Sequence, residues 1–264
     1  MTIELYRYFE DLNHGSQLKS TRKKTIYGWA LGKPSVHCHM KIDSPPWRRL
    51  LATAAGDLQV GLTADMVGQF VQYGLLLQRW NRKMNLTAIR DPAEIAIKHF
   101  VDSLAAVPLL ETGACLLDLG SGAGFPGLCL KIARPDLAIT LVDGIHKRIT
   151  FLKYVIGRLG LDGIRAEHTR IESLADGRRK CYAVIVTRAV ASLKEFAILA
   201  GPHLVPGGRL IAWKGNHYQA ELDELKAEGA CQDPDTRVWR PCIVPYHLVQ
   251  PDLTRYLVVL EDRT

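Results

Sequence analysis

The stretch Leu116-Leu-Asp-Leu-Gly-Ser-Gly-Ala-Gly-Phe-Pro-Gly127 decides how the rest of the chain is read. A short apolar run ends in a glycine-rich turn, and the turn opens into a helical pattern. Gly120, Gly122 and Gly124 let the backbone turn sharply and approach a ligand with no Cβ in the way, and Pro126 suits a first helical turn. Strand, glycine turn and helix in that order mark a ligand loop.

Outward from this loop, apolar runs alternate with helical ones. Candidate strands are Cys115–Leu119, Ala138–Val142, Ala183–Thr187, Arg209–Trp213 and Tyr256–Leu260, with a weaker one at Gly163–Glu167. The clearest helix runs from His146 to Leu159, with Ile149, Leu152, Val155, Ile156 and Leu159 on one face. This alternation predicts an α/β fold with a doubly wound, mainly parallel sheet covered on both faces, its ligand at the carboxyl ends of the strands. Upstream, Thr63 is a plausible N-cap for a helix bearing Val67, Phe70, Tyr73, Leu76, Leu77 and Trp80. Asp91-Pro92 starts another, bearing Ile95, Ile97, Phe100, Val101 and Leu104. The organisation expected is a basic leader over 1–45, a helical module over 46–110 and an α/β domain over 111–264.

Composition bounds the function. Of 264 residues, 47% are hydrophobic and 23% charged, which excludes disorder as the main state. The longest apolar run, Leu104 to Leu110, is broken by Pro108 and falls far short of the ~20 residues that span a bilayer. Lys+Arg 34 against Asp+Glu 27 gives +7, but residues 1–40 carry six basic and three acidic side chains, so +3 of it belongs to the leader. The remaining +4 is a weak pointer to a polyanion. Residues 1–30 hold no apolar core of a signal peptide, and the cysteines, free of any C-x-x-C pair, read as reduced core thiols of a cytoplasmic protein. His37-Cys38-His39 cannot turn three adjacent side chains onto one ion, so no metal is expected.

Two cofactors compete for the loop, because Gly122-x-Gly124-x-x-Gly127 also satisfies the dinucleotide fingerprint. Asp118 stands two residues before the first glycine, where a carboxylate can engage a methionine amino group and would repel a pyrophosphate. The order Asp-x-Gly-x-Gly-x-Gly is that of class I methyltransferases. Both features favour S-adenosylmethionine over NAD or a purely structural loop. Asp143, at the end of the next strand, suits the ribose hydroxyls of either cofactor and does not discriminate.

Further blocks then narrow the reading: Trp80-Asn-Arg-Lys-Met-Asn-Leu-Thr-Ala-Ile89, Lys98-His-Phe-Val-Asp-Ser-Leu104, Val142-Asp-Gly-Ile-His-Lys-Arg148, Thr187-Arg-Ala-Val-Ala-Ser-Leu193, Pro206-Gly-Gly208 and Trp213-Lys-Gly215. In order and spacing the chain resembles the small-subunit ribosomal RNA guanine-N7 methyltransferase G family, also called glucose-inhibited division protein B. The resemblance covers about residues 50–262 and leaves the leader outside, as expected of a flexible leader or of an upstream extension with Met40 as the working start. It implies a class I S-adenosylmethionine-dependent methyltransferase fold with a small N-terminal helical module, acting as a monomer on 16S rRNA or the small ribosomal subunit. It carries cofactor contacts over to Gly120, Phe125, Ile171, Glu172 and Arg188, beside Asp118, Gly122, Gly124 and Asp143 from the reading above. Arg188 is the positioning candidate on the methyl-transfer side, its plain alternative being a helix-end salt bridge. Lys98, Lys214 and Arg255 are the RNA-contact candidates, among basic residues near the cleft that include Arg82 and Lys83. Two positions depart from the family: Lys98-His99 replaces Arg-His, which removes a bidentate phosphate grip, and Arg255-Tyr256-Leu257 replaces Arg-His-Leu.

The acceptor that the resemblance implies is N7 of guanine 527 in the 530 loop of 16S rRNA. That nitrogen has an in-plane lone pair, unprotonated at neutral pH, so no acid, base or nucleophile is expected, only in-line positioning with water excluded. The rate should then be nearly flat from about pH 6.5 to 8. N7 faces the deep, narrow major groove of A-form RNA, so the base must sit in a loop or be extruded. A class I methyltransferase for another RNA, a small molecule or a protein, an NAD-linked oxidoreductase and a non-catalytic RNA-binding factor are the competing readings.

Overall fold

Seven strands, β1 (Cys115–Leu119), β2 (Ala138–Asp143), β3 (Ile164–His168), β4 (Tyr182–Thr187), β5 (Leu204–Lys214), β6 (Trp239–His247) and β7 (Thr254–Asp262), form one sheet in the order β3-β2-β1-β4-β5-β7-β6. This is a computed structural model describing residues 40–174, 181–188, 192–227, 238–248 and 253–263. Residues 1–39 of the expected leader, with His37-Cys38-His39, lie outside the described residues, and Met40–Thr264 form one compact unit. Strands β1 to β5 pair in parallel, and β7 runs antiparallel between β5 and β6. Strand order reverses between β1 and β4, the switch point where open α/β sheets bind ligands.

Successive strand residues point to opposite faces, and both faces are covered. Leu116, Leu141, Val186, Ile211 and Leu257 pack on one side, against the helical module. Leu117, Val142, Ile185, Leu210 and Val258 pack on the other. The first face is covered by α1 (Pro45–Asp57), α2 (Ala64–Met84), α3 (Gly127–Ala133) and α4 (His146–Leu159), the second by α5 (Leu193–Ala200) and α6 (Tyr218–Ala227). Trp47, Phe70, Tyr73 and Phe100 of the helical segments belong to the same apolar cluster as the β1 and β2 side chains, so module and sheet share one core.

Local signals account for most boundaries. The Thr63 side chain accepts from the Met66 N–H at the start of α2, and Asn85 ends it in the left-handed conformation. The Asp91 side chain accepts from the Glu94 N–H, as Asp91-Pro92 suggests. The segment that follows is not an ordinary helix: Ile95–Val101 is π-helical, between single α-turns Pro92–Glu94 and Asp102–Leu104. Two elements escape the sequence pattern. Helix α1 opens on two prolines behind a Ser44 cap, and β6 carries Pro241 and Pro245, tolerable because it is the sheet's edge. The cysteine reading is corrected too: Cys129 is buried, but Cys115 and Cys181 are exposed and Cys242 is half-buried. Strand ends and edges admit solvent that an apolar run does not reveal. No helix among the described residues is long and apolar enough to cross a membrane.

Candidate active site

After β1 the chain reverses through Gly120 and Gly122, at φ 72° and 58°. The Gly120 and Ser121 N–H groups both donate to the Val142 carbonyl at 3.0 Å, and the Gly122 N–H donates to Asp143 Oδ2 at 2.9 Å. Asp143 also accepts from the Ile145 N–H at 2.8 Å and from Arg148 at 3.1 Å. One nearly buried carboxylate therefore ties together the turns that follow β1 and β2. Asp118 is fully buried; its Oδ2 accepts from the Gly127 N–H at 2.8 Å, while Oδ1 has no hydrogen-bond partner. Burial raises its pKa to about 7, opposed by the Gly127 N–H and by Arg188.

The glycines divide by task. A Cβ on Gly122 would meet nothing nearer than 3.9 Å, so that position is open to a ligand. A Cβ on Gly124, at φ 103°, would collide with Leu128 and the Tyr73 hydroxyl, and one on Gly127 with Leu141 and Asp118. Gly124 thus makes room for the protein itself, which corrects the expectation that it clears space for a ligand. Tyr73, from α2, donates its hydroxyl proton to the Ala123 carbonyl and stacks on Phe125 with centroids 5.6 Å apart.

Arg188 leaves β4 and closes the other end of the cleft. Its guanidinium donates to the carbonyls of Lys98 at 3.0 Å and His99 at 3.4 Å and to the Ser103 hydroxyl at 3.0 Å, and pairs with Asp102 Oδ2 at 2.7 Å. The π-helix thus presents carbonyl oxygens to a cation, a use consistent with the concentration of such segments at functional sites. Asp102 is buried; its Oδ1 accepts from the Tyr246 hydroxyl at 2.6 Å and lies 3.6 Å from Arg255 Nε, and its carbonyl accepts from Trp213 Nε1 at 2.7 Å. His99 stacks on Phe125 at 4.2 Å and 10°, with Nε2 2.8 Å from Thr87 Oγ1. Burial, then Arg188, depresses its pKa to about 3, so the ring is neutral.

Arg188 and Phe125 come together, the guanidinium carbon 6.0 Å from the ring centroid. Ile171 and Glu172 form a one-turn helix after β3; Ile171 is buried in the second core cluster and Glu172 is exposed. The RNA candidates are committed within the protein. Lys98 pairs with Glu94 at 2.6 Å, Lys214 with Glu221 at 2.6 Å, and Arg255 faces Asp102. Tyr73, His99, Asp102 and Tyr246 are the site residues that the sequence reading did not assign. Asp102 carried a signal, as a carboxylate among Phe100, Val101 and Leu104; Tyr246 carried none, lying in the strand that prolines concealed.

An open glycine turn, an aromatic wall at Phe125 and a buried carboxylate oxygen without a partner fit S-adenosylmethionine: Asp118 Oδ1 is an acceptor that an ammonium group would satisfy. Set at the switch point of this sheet, they define a class I S-adenosylmethionine-dependent methyltransferase. Residues 66–238 match the family GidB, rRNA small subunit methyltransferase G. Proteins named ribosomal RNA small subunit methyltransferase G are 39% identical over 238 residues in Cupriavidus metallidurans, covering 85% of this chain and 98% of that protein. The Leptothrix cholodnii protein is 43% identical over 188 residues (69% and 85%), and that of Geotalea uraniireducens 39% over 214 (81% and 96%). The chain belongs to the rRNA small subunit methyltransferase G family, and the cofactor is S-adenosylmethionine rather than NAD.

Proposed function

We propose that this enzyme, a cytoplasmic monomer, methylates N7 of guanine 527 in 16S rRNA, with Asp118, Gly120, Gly122, Phe125, Asp143, Ile171, Glu172 and Arg188 around the cofactor. The observation that carries the choice of N7 is the state of the acceptor end. His99, the imidazole beside Phe125 and Arg188, has its pKa near 3, and Asp102 is engaged by Arg188 and Tyr246. An imidazole so weakly basic is a poor acceptor for the proton of an amine or carbon nucleophile at neutral pH, whereas guanine N7 has none to give.

S-adenosylmethionine supplies the sulfonium methyl group. Asp118 Oδ1 holds the amino group, the backbone at Gly120 and Gly122 lets the amino-acid portion approach, and Asp143 orients the ribose while fixing the turn. Backbone at Ile171 and the Glu172 carboxylate read the adenine edge. Gly124 belongs to the loop's packing. Arg188, held on four sides, keeps the Phe125 wall and the π-helix in register so that the purine edge meets the methyl group in line.

The test is mapping of 7-methylguanosine in small-subunit rRNA from a deletion strain, with and without the gene restored. We expect the modification to vanish at one guanine and return with the gene. Its persistence, or loss of a methyl group on an exocyclic amine or carbon instead, overturns the reading.

A further inference from the structure

Away from the cofactor turn, a groove of about 240 Å³ opens where the end of α2 meets the segment before the π-helix. Its floor is apolar, formed by Leu77, Ile89 and Ile95; its rim carries Gln78, Arg82 and Arg90. Both arginines are exposed, and neither forms an ion pair among the described residues, unlike Lys98, Lys214 and Arg255. Arg82 in the last turn of α2 also suits the negative end of the helix dipole. Arg90 lies beyond the helix, so the dipole does not account for it.

A chain of contacts joins the groove to the cleft. Asn81, in the groove wall, exchanges two 2.9 Å hydrogen bonds with the Thr87 backbone; Thr87 Oγ1 meets His99, and His99 stacks on Phe125. The volume is below the ~300–1,000 Å³ of pockets for drug-sized ligands and suits one planar base. An apolar floor, a half-buried amide and two free guanidinium groups match a nucleotide: base on the floor, its edge at Gln78, its phosphate between the arginines.

We propose that this groove binds one unpaired nucleotide of the rRNA substrate, other than the methylated guanine, and so fixes the register of the loop presented to the cleft. The inference rests on the rRNA reading above. It is tested by binding of a 16S rRNA fragment carrying the 530 loop between about 50 and 200 mM salt, with Arg82→Ala, Arg90→Ala, the double variant, Ile89→Trp and Gln78→Ala. S-adenosylmethionine affinity, measured in parallel, reports folding and is expected to stay at the wild-type value.

Loss of that single phosphate contact should lower the slope of log affinity against log salt by about 0.7 in the double variant and by part of that in each single arginine variant. Ile89→Trp fills the floor and should weaken binding about tenfold with the slope unchanged. Gln78→Ala, which adds no volume, should weaken it two- to threefold. A double variant with wild-type slope and affinity overturns the proposal, as do Ile89→Trp and Gln78→Ala variants that both bind like the wild type. Wild-type protein that does not bind the fragment at all overturns the rRNA reading instead.

Discussion

The two ends of the cleft, proposed above to take cofactor and acceptor, are held by different kinds of contact. At the cofactor end the ties are short in sequence: Asp118 to Gly127 spans nine residues, and Gly122 to Asp143 spans 21. At the acceptor end Arg188 reaches back 85 to 90 residues to the π-helix and the turn that follows it, and Tyr246 reaches back 144 to Asp102. The first end is a backbone shape that a local motif can specify. The second is a charge network that exists only once distant elements have met.

Gly124→Val should have the largest effect, because it fails at both levels. A φ of 103° disfavours any side chain, and the new branch meets Leu128 and the Tyr73 hydroxyl. Overpacking and left-handed strain together should cost about 3–5 kcal/mol, read as a lower denaturant midpoint, and cofactor binding should be lost. Native stability in this variant would show that α2 does not brace the loop.

Asp102→Ala comes next and separates the two ends. Removing a buried carboxylate leaves Arg188, 18% exposed, with three neutral acceptors and Tyr246 with none. Because those acceptors remain, the cost should fall near 2–3 kcal/mol, under the full value for a broken buried pair. Turnover should fall at least tenfold and cofactor affinity by a smaller factor, measured by methyl transfer and calorimetric titration. Equal losses would make the cleft one energetic unit and end the distinction.

Asp118 gives the cofactor end a pH signature. Its folded pKa is raised from 3.8 to about 7, so the stability it contributes is full below 3.8 and is lost as pH rises through 7 in the unliganded protein. An ammonium group beside Oδ1 favours the charged form, so cofactor affinity should climb by up to tenfold per unit from about pH 5.5 and level off above 7. Turnover at saturation should stay flat over about pH 6.5–8. Asp118→Asn should abolish the climb; a climb that survives it would place the titrating group elsewhere.

The same asymmetry decided what could be read without coordinates. The five firm strands, the helix His146–Leu159 and the Asp118-to-Gly127 loop were legible because burial and turning are local there. The π-helix was not: Ile95, Phe100 and Val101 fit an α-helical stripe equally well, and a pattern of apolar side chains does not show whether the backbone bonds i to i+4 or i to i+5. Gly124 looked like a ligand glycine because a sequence shows that a Cβ is missing but not what fills its place.

Lys214 offers the smallest and most discriminating change. It was expected to meet RNA, yet its ammonium lies 2.6 Å from Glu221, whose Oε2 also accepts from the Leu193 N–H at 3.0 Å. Because Glu221 keeps that partner, Lys214→Ala should cost no more than about 1 kcal/mol. A cation already neutralised inside the protein releases few counterions from RNA, so the salt slope should fall by well under the ~0.7 of a full single-strand phosphate contact. A full drop, together with tighter RNA binding by Glu221→Gln, would mean that Lys214 exchanges Glu221 for a phosphate. The acceptor end would then be completed by the substrate, whereas the cofactor end is built before anything binds.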